Sequence, residues 1–182
     1  MVQFNFNANE SFEQLKDRWA LEVGRFVMAF GNIEANTYLA LRHMPLDPIC
    51  APLIEANLNL KPRIEVLIVI AKARGQGPWL LFADALEKIG KLAAKRNLIA
   101  HNGVGFDVYV SAAGEYYIEQ AISNAKKRQF AQKKSNDSVL FEELIAHREE
   151  AEALDKQLGT ALMDLVKELR LSGAEDDSRK KG

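Results

Sequence analysis

The 182-residue sequence predicts an all-α fold, an antiparallel helical bundle with a small inserted β-hairpin. Three observations lead to this prediction. Two segments carry apolar residues every three or four positions over about thirty residues each, which is the stripe of an amphipathic helix. A third helical segment lies between two glycine-containing breaks. One short segment instead alternates apolar and polar residues, and that alternation is typical of β-strands.

The first long helix begins at a capping signal near Ser11 and ends before Pro45. Gly24 and Gly31 interrupt its apolar stripe. Each weakens the helix by about 1 kcal/mol relative to alanine, unless it lets another helix approach closely. The stripe consists of Phe12, Leu15, Trp19, Val23, Phe26, Phe30, Ile33 and Thr37.

The middle of the chain predicts two further helices. Asp47 and the proline after it suit the start of a short helix that reaches about Leu60. A nearly all-apolar run follows from Pro62 to the break at Gly75. Its valines and isoleucines also favour a strand, but Glu65 and the basic residues before the glycine favour a buried helix.

The second half of the chain combines one helix, the hairpin and a last long helix. The pattern predicts a helix over Pro78–His101, closed by Gly103 in the left-handed conformation. The alternating segment at about 106–120 predicts the hairpin, which should pack on the helices or on a partner because isolated hairpins are marginal in water. Caps at residues 136–138 then begin a helix whose stripe runs over Leu140–Leu171.

The bulk composition limits the classes of function. With 48% hydrophobic and 27% charged residues, the chain resembles an ordinary soluble protein, and we predict a single domain over 1–171 with a flexible tail over 172–182. The formal net charge is −1, so any RNA contact needs a local basic patch. Neither a signal peptide nor an apolar run long enough for a bilayer is visible. We therefore expect a cytoplasmic protein that contacts no membrane.

Cysteine and histidine usage argues against metal chemistry. Cys50 is the only cysteine, which excludes an intramolecular disulfide, and its apolar neighbours favour buried packing over a reactive thiol. The three histidines, His43, His101 and His147, are scattered and lack cysteine neighbours. The sequence therefore predicts no metal site and no cofactor.

The most informative stretch is residues 96–103, which read Arg-Asn-Leu-Ile-Ala-His-Asn-Gly. Arg96 carries a permanent charge on a planar fork that fits phosphate. His101 can donate and accept protons near neutral pH. Together with the amide of Asn97, these side chains are sufficient to cleave a phosphodiester without a metal.

The geometry of a straight helix complicates a shared site. Arg96 and His101 lie about 140° apart around the axis, whereas Asn97 and His101 share a face. A joint site therefore needs the helix to end or distort near His101, which the step from Asn102 to Gly103 would allow. The negative end of the helix favours a protonated His101. The competing interpretation also stays open: His101 caps the last carbonyls and Arg96 covers apolar surface.

The stretch from Arg96 to His101 resembles the defining motif of the HEPN superfamily (higher eukaryotes and prokaryotes nucleotide-binding domain). That motif is an arginine, four to six residues, then a histidine, often with a polar residue directly after the arginine. Here the spacing is four and the polar residue is Asn97. A helical bundle, a long first helix containing residues 30–34 (Phe-Gly-Asn-Ile-Glu) and a motif late in a core helix also fit. The resemblance covers about residues 11–170, although only the motif is specific.

The resemblance implies a metal-independent endoribonuclease that leaves 2′,3′-cyclic phosphate ends, with the hairpin as an elaboration of the bundle. His101 would be the general acid or base while a ribose 2′-OH attacks the adjacent phosphate. Arg96 would bind that phosphate and stabilise its developing charge. Asn97 would orient the histidine or the substrate. Such domains typically form a homodimer in which two motifs face one another across a cleft.

The resemblance also implies a biological setting and an alternative. Members of this kind act as toxins or phage-defence effectors, with RNA as substrate and an antitoxin or regulatory protein as partner. Some toxin members carry a tyrosine two residues after the histidine, which a partner nucleotidyltransferase modifies. Gly103 stands at that position, so this regulation is in doubt. The alternative function is a non-catalytic module for dimerisation, nucleotide binding or partner binding.

Several secondary candidates have two interpretations each. A basic cluster around Phe130 could bind an RNA backbone, or could be a solvated loop or helix face; we predict RNA contacts at Lys126, Lys127 and Arg128, with Lys133 and Lys134 nearby. Glu34 could support Arg96 from across the bundle, or could be an exposed charge. Asn102 is a second supporting candidate.

The remaining histidines are given structural roles. His43 is predicted to cap the end of the first long helix. His147 and Arg148 lie among four glutamates, which predicts a solvated face of salt bridges.

Overall fold

The computed structural model describes residues 12–44, 58–110, 116–123 and 138–179. Within these ranges the chain forms four helices and one three-stranded antiparallel sheet, which confirms the predicted fold class. The elements are α1 (Phe12–His43), α2 (Leu60–Arg74), α3 (Pro78–His101), β1 (Val104–Val110), β2 (Tyr116–Ser123), β3 (Ser138–Leu140) and α4 (Phe141–Arg179). The predicted short helix after Asp47 lies almost wholly outside the described residues.

The chain divides into two compact units. The first unit contains residues 1–28 and 94–150, and the second contains residues 29–93 and 151–182. The motif at the end of α3 and the whole sheet belong to the first unit. The expectation of a single domain over 1–171 stays a prediction.

Helix α1 has the predicted bounds and buries most of its predicted stripe, although Val23 is only half-buried. Phe26 and Ile33 are fully buried. The two interrupting glycines do not admit another helix, because a Cβ atom at Gly24 or Gly31 would meet nothing within 4 Å in the described part of the chain. Both glycines are exposed, so in this chain they carry only the cost in helix propensity.

Helix α2 is the buried helix that the sequence favoured over a strand. Its buried residues include Ile64, Leu67 and Ala71. The predicted break after it is confirmed at Gly75, which has a φ of 68° and donates its N–H to the Ala71 carbonyl. Glycine adopts this left-handed backbone without the steric penalty that a Cβ would carry.

In the second unit, neighbouring helices α2, α3 and α4 run antiparallel. Lys72 of α2 pairs with Glu87 of α3, and the Arg74 guanidinium lies 5.5 Å from the Trp79 ring centroid. The Trp79 indole N–H in turn donates to Glu168 Oε1 of α4 at 3.0 Å. As the residue number rises along one helix of each pair, it falls along the other.

Helices α1 and α4 instead run in the same direction. In the second unit, Asn32 and Asn36 both donate to the Asp155 carboxylate, at 3.1 and 3.3 Å. The side-chain nitrogen of Asn36 also lies 3.8 Å from where a Cβ of Gly159 would stand. The two helices are far apart in the chain, so no short loop forces them to be antiparallel.

The sheet lies in the first unit and has the order β1-β2-β3. Strands β1 and β2 form the predicted hairpin, with Val104 opposite Ile122. The Trp19 indole of α1 donates to Gln120 Oε1 at 2.7 Å, so the hairpin packs on a helix as expected. Ile122 and Val139 are fully buried, which anchors the inner face of the sheet.

The third strand corrects the sequence prediction. Residues 136–138 were expected to cap the last helix, but residues from Ser138 to Leu140 pair with β2. The helix begins after this strand, and Glu143 Oε2 accepts the Leu140 N–H at 2.9 Å. A glutamate at the third helical position commonly caps in this way.

The other end of α4 extends to Arg179. The flexible tail that was predicted from residue 172 stays a prediction. Residues 172–179 contain no proline, and their alanine, glutamate and arginine favour helix. Gly173 opposes the helix by about 1 kcal/mol, and the serines and aspartates of this stretch oppose it by smaller amounts. Across the described residues, no helix combines the length and apolar composition needed to cross a membrane.

Candidate functional site

The motif occupies the last turns of α3, within the first unit. Ile99 is buried with 2% of its surface exposed, and it anchors this end of the helix. Asn97 and His101 are exposed, and Arg96 is half-buried. The imidazole of His101 is therefore accessible to a substrate. A buried His101 would have excluded the catalytic interpretation.

Arg96 is oriented by its neighbour in the chain. Its Nη1 atom donates to Asn97 Oδ1 at 3.1 Å. Because Asn97 and His101 are four residues apart on a helix, this bond draws the guanidinium toward the face that carries His101. Helix α3 continues to His101, so its backbone keeps the two residues about 140° apart around the axis. A joint site then depends on the reach of the arginine side chain.

The end of α3 is capped by an amide side chain. Asn102 Nδ2 donates to the Leu98 carbonyl at 2.8 Å. This bond satisfies one of the carbonyls that a helix leaves unpaired at its end. Asn102 therefore supplies the capping bond that one interpretation gave to His101.

The predicted left-handed cap at Gly103 is wrong. Among the described glycines, positive φ values occur at Gly75 and Gly77, and Gly103 has none. The Asn102 amide already bonds a terminal carbonyl, and β1 begins at Val104, directly after the glycine. The chain thus leaves the helix without the left-handed residue that a Schellman cap would require.

Glu34 pairs with an arginine that the sequence did not indicate. Its Oε1 atom lies 3.2 Å from Nη2 of Arg63 on α2. The Arg63 side chain is fully buried, and its Nε donates to Thr37 Oγ1 at 2.8 Å. Support of Arg96 by Glu34, which belongs to the second unit, stays a prediction. The missed signal was the spacing of Arg63, because it lies four residues before Leu67 and eight before Ala71 on the buried face of α2.

His147 is the titratable group near the motif that sequence reasoning assigned to a solvated face. It is half-buried, and burial lowers its pKa. The positive charge of Lys95 lowers the pKa further, while Glu150 and Glu143 oppose the shift. Lys95 directly precedes Arg96, so the end of α3 projects positive charge toward the start of α4. The side-chain pattern of one helix could not have indicated the effect of Lys95 on His147, because the two residues lie on different helices.

Arg148 also corrects the prediction of a solvated face. Its Nε atom donates to Glu22 Oε2 of α1 at 2.8 Å, and the two side chains are only 11% and 13% exposed. The parallel packing of α1 and α4 in this unit brings the pair together. Within the same unit, Trp19 packs against Phe141 with the rings tilted by 57° and their centroids 5.0 Å apart. The pair of Arg148 with Glu22, which was not predicted, is thus largely removed from water, whereas the bond from Arg148 Nη2 to Glu149 is one of the local pairs that the sequence predicted.

Other candidates can be placed only in part. The predicted RNA-binding residues Lys126, Lys127 and Arg128 lie outside the described residues. His43 is exposed at the end of α1. Where the structure describes the chain, no group of three or more histidine, cysteine, aspartate or glutamate side chains is arranged to hold a metal ion.

Comparison with models of protein families, with curated proteins and with solved structures finds no match for this chain.

Proposed function

We propose that the protein is a metal-independent endoribonuclease of the HEPN type, with its site at the end of α3. The observation that supports this most is the arrangement of Arg96, Asn97 and His101. His101 is exposed, and the guanidinium of Arg96 bonds the amide one turn before it. A phosphate-binding cation and a proton-transfer group are thereby drawn toward the same side of one helix end.

The chemistry assigns each residue one role. A ribose 2′-OH loses its proton and attacks the adjacent phosphorus, the bond to the 5′ oxygen breaks, and that oxygen gains a proton. His101 donates or accepts one of these protons. Arg96 binds the phosphate and stabilises the charge that develops on it. Asn97 holds the guanidinium, because its Oδ1 accepts the bond from Nη1.

A single motif leaves one proton transfer without a second group. In the homodimer that the resemblance implies, two motifs facing across a cleft would supply two copies of His101 to one phosphate. Lys126, Lys127 and Arg128 would provide the local basic patch that a chain of net charge −1 needs to hold RNA. An RNA-cleaving site of this kind suits a toxin or phage-defence effector, with an antitoxin or regulatory protein as its partner.

The test is RNA cleavage by the purified full chain in EDTA. We expect the wild type to cleave and to leave 2′,3′-cyclic phosphate and 5′-hydroxyl ends. His101→Ala and Arg96→Ala should each lose about 100-fold or more in rate, the usual contribution of a positioned acid, base or charge donor. A matched control is His43→Ala, since His43 is likewise an exposed histidine at the end of a helix.

Two outcomes contradict the proposal. Equal cleavage by the wild type and both site variants would place the activity elsewhere or in a contaminant. No cleavage by any of them, over a panel of structured and unstructured RNAs, would favour the non-catalytic module.

Replacing the attacking 2′-OH of the substrate with hydrogen should abolish cleavage, because the nucleophile is then missing.

A further inference from the structure

The proposed cleavage needs two proton transfers, and the motif of one chain contains one histidine to carry them. A base must take the proton of the attacking 2′-OH, and an acid must give a proton to the departing 5′ oxygen. The first unit, which holds the end of α3, contains another histidine near the start of α4. This unit therefore carries two imidazoles, those of His101 and His147.

His147 is accessible and is held by a carboxylate. Its side chain is 24% exposed, and its Nδ1 atom lies 3.9 Å from Oε2 of Glu150, one turn further along α4. This distance is longer than a hydrogen bond, as is common for catalytic groups before a substrate binds. A carboxylate beside Nδ1 favours the tautomer with the proton on that nitrogen, which leaves Nε2 as a proton acceptor. A general base is often oriented by a third group in this way.

The charges around His147 suit a base. Burial lowers the pKa of His147, and the positive charge of Lys95 on α3 lowers it further, against the opposing effects of Glu150 and Glu143 on α4. The imidazole is therefore mostly neutral at pH 7 and able to accept a proton. Because the charge of Lys95 acts on His147, the side of α3 that carries Lys95 faces the start of α4.

The two imidazoles approach Arg96 from opposite directions around α3. Each residue of a helix turns by about 100° around the axis. Counted from Arg96, Lys95 lies about 100° in one direction and His101 lies about 140° in the other. His147 therefore faces one flank of Arg96, and the other flank carries His101.

We propose that His147 is the general base of the cleavage and that His101 of the same chain is its general acid. This inference rests on the proposed ribonuclease function. When a phosphoryl group is displaced in line, the attacking and departing oxygens lie on opposite sides of phosphorus. A phosphate held by Arg96 thus needs its base on one flank and its acid on the other.

The reaction then balances within one chain. Nε2 of His147 takes the proton of the 2′-OH while the 2′ oxygen forms a bond to phosphorus. The bond from phosphorus to the 5′ oxygen breaks, its electron pair stays on that oxygen, and His101 protonates it. Arg96 stabilises the charge on the phosphoryl oxygens. Exchange of protons with water restores both histidines.

This assignment makes a different prediction from two motifs that face one another in a dimer. Two copies of His101 at one phosphate would make His147 dispensable. With His147 as the base, one chain supplies both proton-transfer groups, and loss of His147 stops the reaction. A variant of His147 therefore separates the two routes.

The test compares His147→Gln with His101→Ala in EDTA, at saturating RNA and over a range of pH. Glutamine is close to histidine in size, and its amide does not titrate. We expect His147→Gln to cleave about 100-fold more slowly than the wild type, the usual contribution of a positioned base. The rise in rate with pH that reports deprotonation of the base should disappear in His147→Gln and persist in His101→Ala. His43→Ala is the control and should keep the wild-type rate and pH profile.

A modified substrate separates the base from the acid. When sulfur replaces the 5′ oxygen at the scissile phosphate, the leaving group departs as a thiolate and needs no proton, because a thiol is a much stronger acid than an alcohol. This substrate should bring His101→Ala close to the wild-type rate. His147→Gln should stay about 100-fold slower than the wild type.

Each contrary outcome has its own meaning. Wild-type cleavage by His147→Gln, with His101→Ala slow, would overturn the role of His147 and leave the proposed function intact. Slow cleavage by His147→Gln with an unchanged pH profile would make its role structural and overturn the inference. Rescue of His147→Gln by the sulfur substrate would contradict its assignment as the base. No cleavage by the wild type would overturn both proposals.

Discussion

Two arginines in different units of the molecule occupy opposite environments. Arg63 on α2 is fully buried, and each of its three guanidinium nitrogens has a partner: Thr37, Glu34 and the Leu58 carbonyl. Its guanidinium carbon also lies 3.5 Å from the Tyr38 ring centroid. Arg96, at the end of α3, is only half-buried and is oriented by the next residue in the chain.

The difference separates a structural arginine from a candidate functional one. A fully buried guanidinium whose three nitrogens all have partners is closed to a ligand, and removing it leaves buried acceptors unpaired. A half-exposed guanidinium at a helix end is within reach of a phosphate, and its planar fork fits one. The sequence singled out Arg96 through its spacing to His101, but it gave no sign of the partners of Arg63.

The largest effect should come from Arg63→Met. We expect a loss of about 3 kcal/mol in the free energy of unfolding, the lower end of the range for breaking a buried pair. It falls at the lower end because Glu34, the stranded partner, is 35% exposed and can hydrate. Urea denaturation measures this loss in the free energy of unfolding. Arg96→Met is the control and should cost less than about 1 kcal/mol. Equal losses in the free energy of unfolding for Arg63→Met and Arg96→Met would contradict the structural role of Arg63.

Arg148 offers an intermediate case within the first unit. Arg148→Met should cost about 2 kcal/mol, because it strands the Glu22 carboxylate, which is only 13% exposed. The double variant with Glu22→Gln should recover part of that loss, since no buried charge then remains. If the single variant is as stable as the wild type by urea denaturation, the pair is solvated, as the sequence first suggested.

The cap at the end of the motif helix should matter less. Asn102→Ala removes the bond to the Leu98 carbonyl and should cost about 1 kcal/mol, which thermal unfolding can measure. Asn102→Asp is a useful companion because a carboxylate cannot donate to that carbonyl. Both variants should be destabilised, and Asn102→Asp more so because its negative charge lies at the negative end of the helix. Full stability in both would show that water replaces the cap.

The smallest effect should be a pH dependence from His147. Burial, with help from Lys95, lowers its pKa in the folded protein, so the unfolded chain binds the proton more readily. The stabilising contribution is thus complete above the ordinary histidine pKa and is lost as the pH falls through the lowered value. We expect His147→Gln to lose less stability than the wild type between about pH 7 and pH 5. The same dependence of stability on pH in the variant and in the wild type would contradict the lowered pKa of His147.

Much of the fold could be predicted from periodicity. The bounds of α1, the helical character of α2 and the break at Gly75 follow from apolar spacing and from glycine chemistry. The strand β3 could not, because three residues become a strand only when the edge of β2 is there to pair with them. Helix caps were predicted at residues 136–138, whereas pairing with the edge of β2 makes the residues from Ser138 to Leu140 a strand.

The site was predictable as a motif but not as a geometry. Residue spacing located Arg96, Asn97 and His101. Helix geometry predicted that Arg96 and His101 lie on different faces of a straight helix. The side-chain bond from Arg96 to Asn97 depends on rotamers, which residue spacing does not predict. The partners of Arg63 and Arg148 depend on contacts between distant segments, and these leave no local signal.

The most direct test of the central claim is the rate of RNA cleavage by Arg96→Ala in EDTA, measured under conditions where its folded fraction equals that of the wild type. The account predicts a rate lower by about 100-fold or more, because the charge that stabilises the transition state is gone. His43→Ala should cleave at the wild-type rate in the same assay. Wild-type cleavage by Arg96→Ala would contradict the account.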